Sequence, residues 1–220
     1  MSKNTSDTPR RGRPPGLDRD RVVAAALELV DREGLAALTM RRLGRELGVE
    51  GMALYTYVAD KEDLLQAVGG LVLAELELDL PGSGSWQERI GAVVVAWVEM
   101  LRRHPNAFPL VYRQGGEREP VERTTEELLD SLRAAGFDAG GAALAYQTIV
   151  SFLDGALLAW PPAGYHAAEG WEQLVSRIDP ELYPRRAEIA PHAARQSWDD
   201  VFWSGFDLFL DGLEARLRRG

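Results

Sequence analysis

Apolar residues recur at intervals of three and four along most of the chain, which is the period of an amphipathic helix. Asp18 is placed to cap the first helix, and Gly34 is placed to end it. No segment shows a convincing strand pattern, so the sequence predicts an all-α fold. The predicted helices cover residues 18–33, 40–47, 51–57, 61–78, 86–103, 107–112, 121–135, 138–160 and 198–218.

Turn-forming residues separate these helices. Thr39 and Asp60 stand where helix caps belong, and Gly48 supplies the positive φ that a tight turn requires. Residues 164–196 are rich in proline, histidine and aromatic side chains, so we expect an irregular segment with one short helix near 171–178. Residues 1–16 are polar and proline-bearing, and they are predicted to form a disordered basic arm.

Charge divides the chain into two unlike parts. Residues 1–50 hold ten Lys/Arg and eight Asp/Glu, whereas the remaining residues hold 15 and 26, within a net charge of −9. A mildly basic head on an acidic body is typical of a DNA-binding module joined to a sensor or dimerisation domain. The chain has no cysteine, its first residues do not resemble a secretory signal, and no apolar run approaches the roughly 18 residues that span a membrane. We therefore expect a cytoplasmic protein with no membrane partner.

Residues 38–65 have the spacing of a helix-turn-helix, with two short helices on either side of Gly48. Small side chains on the second helix allow close approach to base edges, and Met52 and Ala53 suit the methyl group of thymine. Tyrosine hydroxyls and flanking cations can bind phosphates, and the arginines of the arm suit a narrow minor groove. The candidate DNA contacts are Arg11, Arg13, Thr39, Arg41, Gly51, Met52, Ala53, Tyr55, Thr56, Tyr57 and Lys61.

Each of these features also has a purely structural explanation. Two short helices around a glycine occur in many helical proteins, either tyrosine can pack inwards, and an arginine-bearing tail is often only solubilising. Arg42 and Arg45 fit a solvated surface as well as they fit phosphate contacts.

The combination of motifs is more specific than any one of them. The motifs are Gly34-Leu35, Leu38-Thr39, Leu47-Gly48-Val49, Leu54-Tyr55-Thr56-Tyr57-Val58 and Asp60-Lys61-Glu62-Asp63-Leu64-Leu65. Over residues 18–78 they resemble the N-terminal domain of TetR-family (tetracycline-repressor-like) regulators. The resemblance implies a three-helix DNA-binding head, a helical ligand-binding body, and action as a homodimer on a palindromic operator. Gly51 and Met52 stand where some members carry polar base-reading side chains.

The domains predicted on this basis are the arm over 1–16, a helix-turn-helix domain over 17–63, and a helical ligand-binding and dimerisation domain over 64–220. The body is similar to the C-terminal domain of the tetracycline-repressor branch in the order of its helices. Helices 142–160 and 198–217 carry more apolar residues than a single stripe facing the core requires. Trp203 and Leu210, for example, lie outside that stripe. The two helices are the expected homodimer interface, and packing inside a monomer is the alternative.

An apolar effector pocket with few polar groups is expected in the body. Residues 107–113 lack the histidine that tetracycline repressors place there for a drug-bound magnesium ion, so we expect a mainly apolar or aromatic effector. Plain core packing is the alternative for every candidate. The candidate liners are Trp97, Met100, His104, Phe108, Tyr112, Tyr146, Ile149, Leu153 and Trp171.

These features together predict a ligand-responsive repressor that an effector releases from DNA. A transcriptional activator shares the same sequence features, and so does a helical small-molecule-binding protein whose head does not bind DNA. An enzyme is disfavoured because the chain has three scattered histidines, no cysteine, no phosphate-binding glycine loop and no Gly-x-Ser-x-Gly elbow. No cofactor or metal is expected.

Overall fold

A computed structural model describes residues 16–112, 119–158 and 175–219. Within these ranges the regular secondary structure is entirely helical, which confirms the predicted all-α class. The α-helices are α1 (Arg19–Glu33), α2 (Met40–Glu46), α3 (Lys61–Leu73), α4 (Trp86–Arg103), α5 (Phe108–Tyr112), α6 (Glu119–Ala135), α7 (Ala139–Leu158), α8 (Pro184–Ala193) and α9 (Trp198–Leu217). Two short 3₁₀ helices, Leu35–Ala37 and Gly51–Thr56, complete the described head.

The helix caps of the head lie where the sequence places them. Asp18 accepts a hydrogen bond from the Arg21 backbone N–H at 2.9 Å, and Thr39 accepts one from Arg42 at 3.1 Å. Asp60 caps α3 in the same way. Gly34 and Gly48 both have positive φ, at 83° and 69°, which glycine adopts without a steric penalty. Local capping chemistry therefore fixes where the helices of the head begin and where α1 ends.

Two predicted helices of the head are different in the structure. Residues 51–57 were expected to form an α-helix, but 51–56 form a 3₁₀ helix with bonds such as Tyr57 N–H to Leu54 O at 2.9 Å. Such short pieces commonly adopt the tighter 3₁₀ winding. The helix predicted over 61–78 ends at Leu73, because acidic residues and leucines alternate over 75–78 and no longer hold one helical face.

The segment predicted to be irregular contains α8. Pro184 occupies the start of this helix, where its missing N–H costs nothing, and Pro191 lies in its last turn. The proline content of residues 164–196 favours irregular structure, which is why this helix was not predicted. The predicted short helix near 171–178 lies partly outside the described residues.

The chain divides into two compact units. The first comprises residues 1–76 and 100–117, and the second comprises residues 77–99 and 118–220. This division differs from the predicted boundary after residue 63, because α3 packs on α1 and α5 within the first unit. The first core is built from fully buried aliphatic side chains such as Leu29, Leu38, Leu54, Leu64 and Val68.

Aromatic side chains join α7 to α9 in the second unit, whose described core is otherwise mainly aliphatic. The Phe152 ring of α7 packs against Phe202, Phe206 and Phe209 of α9, with ring centroids 5.6 to 6.2 Å apart. The Trp198 indole N–H donates to the Ala156 carbonyl at 3.1 Å. These contacts join the last two turns of α7 to the first three turns of α9, and α6 packs on α7.

Two glycines let α2 and the 3₁₀ helix pack backbone against backbone. A Cβ at Gly44 would lie 2.8 Å from both the Gly51 nitrogen and the Val49 oxygen, and one at Gly51 would lie 2.9 Å from the Met40 oxygen. Atoms this close overlap, so only glycine fits either position. Gly51 was predicted as a DNA contact, and the structure gives it this packing role.

We expect Gly44→Ala to lower the free energy of unfolding by about 1–3 kcal/mol, since the added methyl group meets rigid backbone rather than a movable side chain. Urea unfolding followed by circular dichroism measures the change. Gly91→Ala in α4 is the matched control: its new methyl group meets no atom within 4 Å. That variant should gain up to about 1 kcal/mol in helix propensity. Equal midpoints for Gly44→Ala and the parent protein would contradict the close approach.

Candidate nucleic-acid interface

Most of the predicted DNA contacts lie on the surface of the head. Met52 is 76% exposed, and Tyr55 is 42% exposed although both are large side chains. Thr39, Arg41, Ala53, Thr56 and Lys61 are also exposed, whereas Gly51 and Tyr57 are half-buried. The structure therefore leaves the predicted reading residues accessible to a groove. Arg11 and Arg13 of the arm lie outside the described residues.

The cations of the head fall into two groups. Arg42 bonds Glu33 at 2.5 Å and Glu46 at 2.7 Å, and Arg32 bonds Glu46 at 3.1 Å. The pairs of Arg42 with Glu33 and of Arg32 with Glu46 join α1 to α2, and that of Arg42 with Glu46 lies within α2. Together they hold the pKa of Glu33 and of Glu46 below the usual range, chiefly through the bond from Arg42. Arg42 is thus a structural residue of the head.

The second group consists of cations without internal partners. Across the described ranges, Arg41, Arg45 and Lys61 have neither an ion pair nor a side-chain hydrogen bond. All three are exposed. A cation that is unpaired in the protein keeps its charge available to phosphate oxygens. Arg41 and Lys61 were predicted to contact DNA. Arg45, whose place in the sequence fits either a solvated surface or a phosphate contact, has the same exposed and unpaired charge within the described chain.

An ion pair ties the start of α1 to the start of α3. Arg19 binds both carboxylate oxygens of Asp63, at 2.6 and 2.8 Å, and also donates to the Tyr57 carbonyl at 3.1 Å. Asp63 accepts a further bond from the Ala59 N–H at 2.8 Å. The Arg19 bond and then the Ala59 bond lower the pKa of Asp63 from 3.8 to about 2. This clasp fixes the chain that leaves the 3₁₀ helix 51–56 and enters α3.

The predicted effector contacts occupy both units. In the second unit Ile149 and Leu153 are buried, Trp97 is half-buried, and the Tyr146 hydroxyl lies 3.2 Å from that of Thr125. In the first unit Met100 is buried and Phe108 is half-buried. The Tyr112 side chain and Trp171 lie outside the described residues. The effector roles of these residues stay predictions.

The remaining candidate, His104, is already bound within the protein. Its ring nitrogens lie 2.8 Å from an Asp31 oxygen and 3.1 Å from a Glu75 oxygen. The ring therefore has two carboxylate partners of its own in the first unit, and both are too distant in sequence for any spacing pattern to predict them.

A cavity of about 570 Å³ lies in the second unit, between the start of α7 and the end of α9. None of the predicted effector contacts borders it. Its lining residues are Gly136, Phe137, Asp138, Gly140, Gly141, Leu144, Arg216, Leu217 and Arg219.

Metal and membrane sites were searched over the same described residues. No group of three or more His, Asp or Glu side chains in them is placed to hold a metal ion. None of their helices is long and apolar enough to cross a membrane.

Comparison with known families assigns both halves of the chain. Residues 22–68 match the model for bacterial regulatory proteins of the tetR family, and residues 78–217 match the tetracycline-repressor-like C-terminal domain. The chain belongs to the TetR family. It is a ligand-responsive, DNA-binding transcriptional regulator and not an enzyme.

Three TetR-family relatives illustrate the likeness. The transcriptional repressor DrrR1 of Streptomyces coeruleorubidus is 31% identical, covering 99% of this chain and 85% of DrrR1. The Streptomyces coelicolor protein ActR in complex with actinorhodin is 26% identical, with a TM-score of 0.72 over 91% of this chain and 97% of ActR. BioQ with its double-stranded DNA operator is 30% identical, with a TM-score of 0.63 over 90% of this chain and 99% of BioQ.

The Arg19–Asp63 clasp predicts a pH-dependent stability. Because the folded pKa of Asp63 lies below its unfolded value, the stabilisation is complete above about pH 5 and is lost as the pH falls from about 4 towards 2. Asp63→Asn should lower the melting temperature at pH 7, and the difference from the parent protein should shrink over that acid range. Thermal unfolding of both proteins from pH 2 to pH 7 measures this.

Glu188→Gln provides the control for the clasp. It removes a carboxylate from the solvent-exposed pair that Arg185 and Glu188 form at 2.7 Å on α8. Exposed pairs of this kind contribute little, so its melting temperature should follow the parent protein at every pH. A Tm difference for Asp63→Asn that stays constant down to pH 2 would show that the Asp63 carboxylate is not the titrating group.

Proposed function

We propose that this TetR-family protein is a homodimeric repressor that leaves a palindromic operator when a largely apolar or aromatic molecule binds its body. The observation that carries the proposal is the surface of the head: Arg41, Met52, Tyr55 and Lys61 are exposed, and the two cations have no partner within the described chain. The relative BioQ, which also belongs to this structural group, is seen with its DNA operator.

Each exposed residue of the head has a distinct role in this proposal. Met52 and Ala53 contact thymine methyl groups, and Thr56 bonds a base or a phosphate. The hydroxyls of Thr39, Tyr55 and Tyr57, with the charges of Arg41 and Lys61, bind phosphates and set the register on the duplex. Gly51 contributes by bringing the 3₁₀ helix 51–56 close to α2. Arg11 and Arg13 enter the adjacent minor groove.

The homodimer forms through α7 and α9, each of which exposes a line of apolar or small residues at helical spacing among polar ones. Ala142, Ala145, Ile149 and Leu153 of α7 are buried, whereas Leu144, Thr148, Ser151 and Gly155 are exposed. On α9 the exposed line is Val201, Leu208, Gly212 and Ala215. Leu208 is 73% exposed and lies two helical turns from Val201, which is 57% exposed. Small residues at this spacing let two pairs of helices approach and form a four-helix bundle.

The apolar residues that α9 exposes are not the ones that the sequence predicts. Trp203 and Leu210 were expected off the main line, and both are half-buried in the structure. Trp203 is turned edge-on to Phe202, with ring centroids 4.8 Å apart. The exposed positions are Val201 and Leu208 instead. The dimer prediction is therefore kept for these helices, on a different face.

The effector acts by changing the distance between the two heads. Half-sites on a duplex repeat at about 34–36 Å, so a shift of a few ångströms prevents both heads from docking together. The effector must prefer the spacing that does not fit DNA. Within the first unit α3 packs on both α1 and α5, so a displacement of α5 moves the head through α3. The relative ActR is seen in complex with actinorhodin, which supports a body that binds a small molecule.

Duplexes that the full-length protein selects from a random-sequence library provide the test of DNA binding. Lys61→Ala should weaken binding to the selected duplex and should reduce the slope of log affinity against log salt by about one. Arg185→Ala on α8 removes an exposed cation outside the head and should leave the slope unchanged. The proposal fails if the parent protein shows no salt-sensitive DNA binding, or if both variants behave alike.

The dimer interface is tested with two equally exposed leucines. Leu208→Glu on α9 should convert the dimer to a monomer in sedimentation equilibrium, because it places charges on both sides of the two-fold contact. Leu182→Glu, at a position 70% exposed against 73% for Leu208, should leave the dimer intact. Dissociation by both substitutions, or by neither, would contradict an interface centred on α7 and α9.

A further inference from the structure

His104 joins the ends of two helices in the first unit. The residue follows α4, and its ring is only 13% exposed. Its Nδ1 lies 2.8 Å from Asp31 of α1, and its Nε2 lies 3.1 Å from Glu75, two residues beyond α3. The neighbouring Asn106 amide donates to the Asp31 carbonyl at 3.0 Å. We call Asp31, His104 and Glu75 the histidine bridge.

The two carboxylates determine the form in which the ring fits. A carboxylate oxygen only accepts hydrogen bonds, so both ring nitrogens must donate. Only the imidazolium has two N–H donors, because a neutral ring donates from one nitrogen and accepts at the other. The histidine bridge is therefore satisfied when His104 carries its proton.

Asp31 depends on that charge more than Glu75 does. Glu75 also pairs with Arg103 at 3.2 Å. In the described chain His104 is the one cation within ion-pair distance of Asp31, whose other carboxylate oxygen is buried without a hydrogen-bond partner. Loss of the ring proton removes the charge partner of a partly buried carboxylate, which is costly. The charged groups facing the ring are thus Asp31, Glu75 and, beside Glu75, Arg103.

The histidine bridge touches both helices that flank the helix-turn-helix. Asp31 lies in the last turn of α1, where Glu33 holds Arg42 of α2. Glu75 follows α3, whose first residue is Lys61. His104 itself belongs to the stretch that matches the C-terminal domain, whereas Asp31 belongs to the stretch that matches the DNA-binding domain. The ring therefore joins a residue of the C-terminal-domain stretch to α1 and to the segment that follows α3, the two parts that flank the proposed DNA-reading surface.

We propose that protonated His104 is a positioning residue for operator binding: the histidine bridge holds α1 and α3 in the arrangement that docks on DNA. The inference rests on the proposed DNA-binding function. His104 acts through these helices and does not touch the duplex. When the ring loses its proton, Asp31 loses its charge partner and the head is held less firmly. DNA affinity is then highest at low pH and falls as the pH rises.

The test uses the full-length protein and a duplex that the parent protein selects from a random-sequence library. Dissociation constants are measured from pH 5.5 to pH 8.5 at constant ionic strength. For the parent protein we expect affinity to fall by about fivefold or more over this range, a coupling of ordinary allosteric size. His104→Gln, which is neutral throughout, should bind at the weaker level and show a much flatter profile.

Histidines elsewhere in the chain supply the matched control. His192 is exposed on α8, and His192→Gln should keep the pH profile of the parent protein. The terminal amino group titrates in the same range, but it is present in every variant and cancels in the comparison. An unchanged profile for His104→Gln overturns the inference while DNA binding by the parent protein leaves the proposed function intact. Absence of salt-sensitive binding by the parent overturns both.

A measurement on the unsubstituted protein covers the case in which His104→Gln does not fold. Histidine side-chain nitrogens are followed by ¹⁵N NMR in the parent protein at pH 6. Two protected N–H signals from the His104 ring support the histidine bridge as described. A ring with one protonated nitrogen at that pH would mean that a carboxyl group holds the proton instead, and it would overturn the inference.

Discussion

The close packing of two backbone segments at Gly44 and Gly51 is the constraint on which the DNA-binding surface depends. With a Cβ at Gly44 only 2.8 Å from backbone atoms, neither position tolerates a larger residue without a shift of the chain. This packing brings the 3₁₀ helix 51–56 against α2 and leaves Met52 and Tyr55 pointing away from the core. A reading segment with few polar side chains must come close to the bases, and it must be held rigidly to do so.

The basic residues of the head have two different roles in the proposed function. Some hold its helices together, and others are available to bind DNA. Arg19 pairs with a carboxylate of α3 and so joins α1 to α3, and Arg42 pairs with a carboxylate of α1 and so joins α2 to α1. Arg41 and Lys61 have no partner within the described chain. Arg41 and Arg42 are neighbours in sequence and differ completely in role, since successive residues of a helix point about 100° apart. The same division explains how a protein of net charge −9 presents a cationic surface where it needs one.

Features that depend on neighbouring residues were predictable from the sequence, and features that depend on distant residues were not. The caps at Asp18, Thr39 and Asp60 follow from local side-chain chemistry, and the apolar period gives the helices their places. The histidine bridge joins residues more than 70 positions apart, which no spacing rule anticipates. The close approach of Gly51 to the Met40 backbone likewise joins segments that are separated in sequence, and α8 was not predicted because it contains Pro184 and Pro191.

Helix α4 connects the proposed effector contacts to the histidine bridge, which supports the proposed DNA-binding surface. This helix begins in the second unit at Trp86, and its last turn belongs to the first unit, where His104 follows it. Trp97 and Met100, two of the proposed effector contacts, lie within two turns of that end. In the proposed mechanism, an effector that contacts these residues acts on the same helix that His104 follows. The backbone of α4 therefore leads from the proposed effector contacts to the ring that binds Asp31 and Glu75.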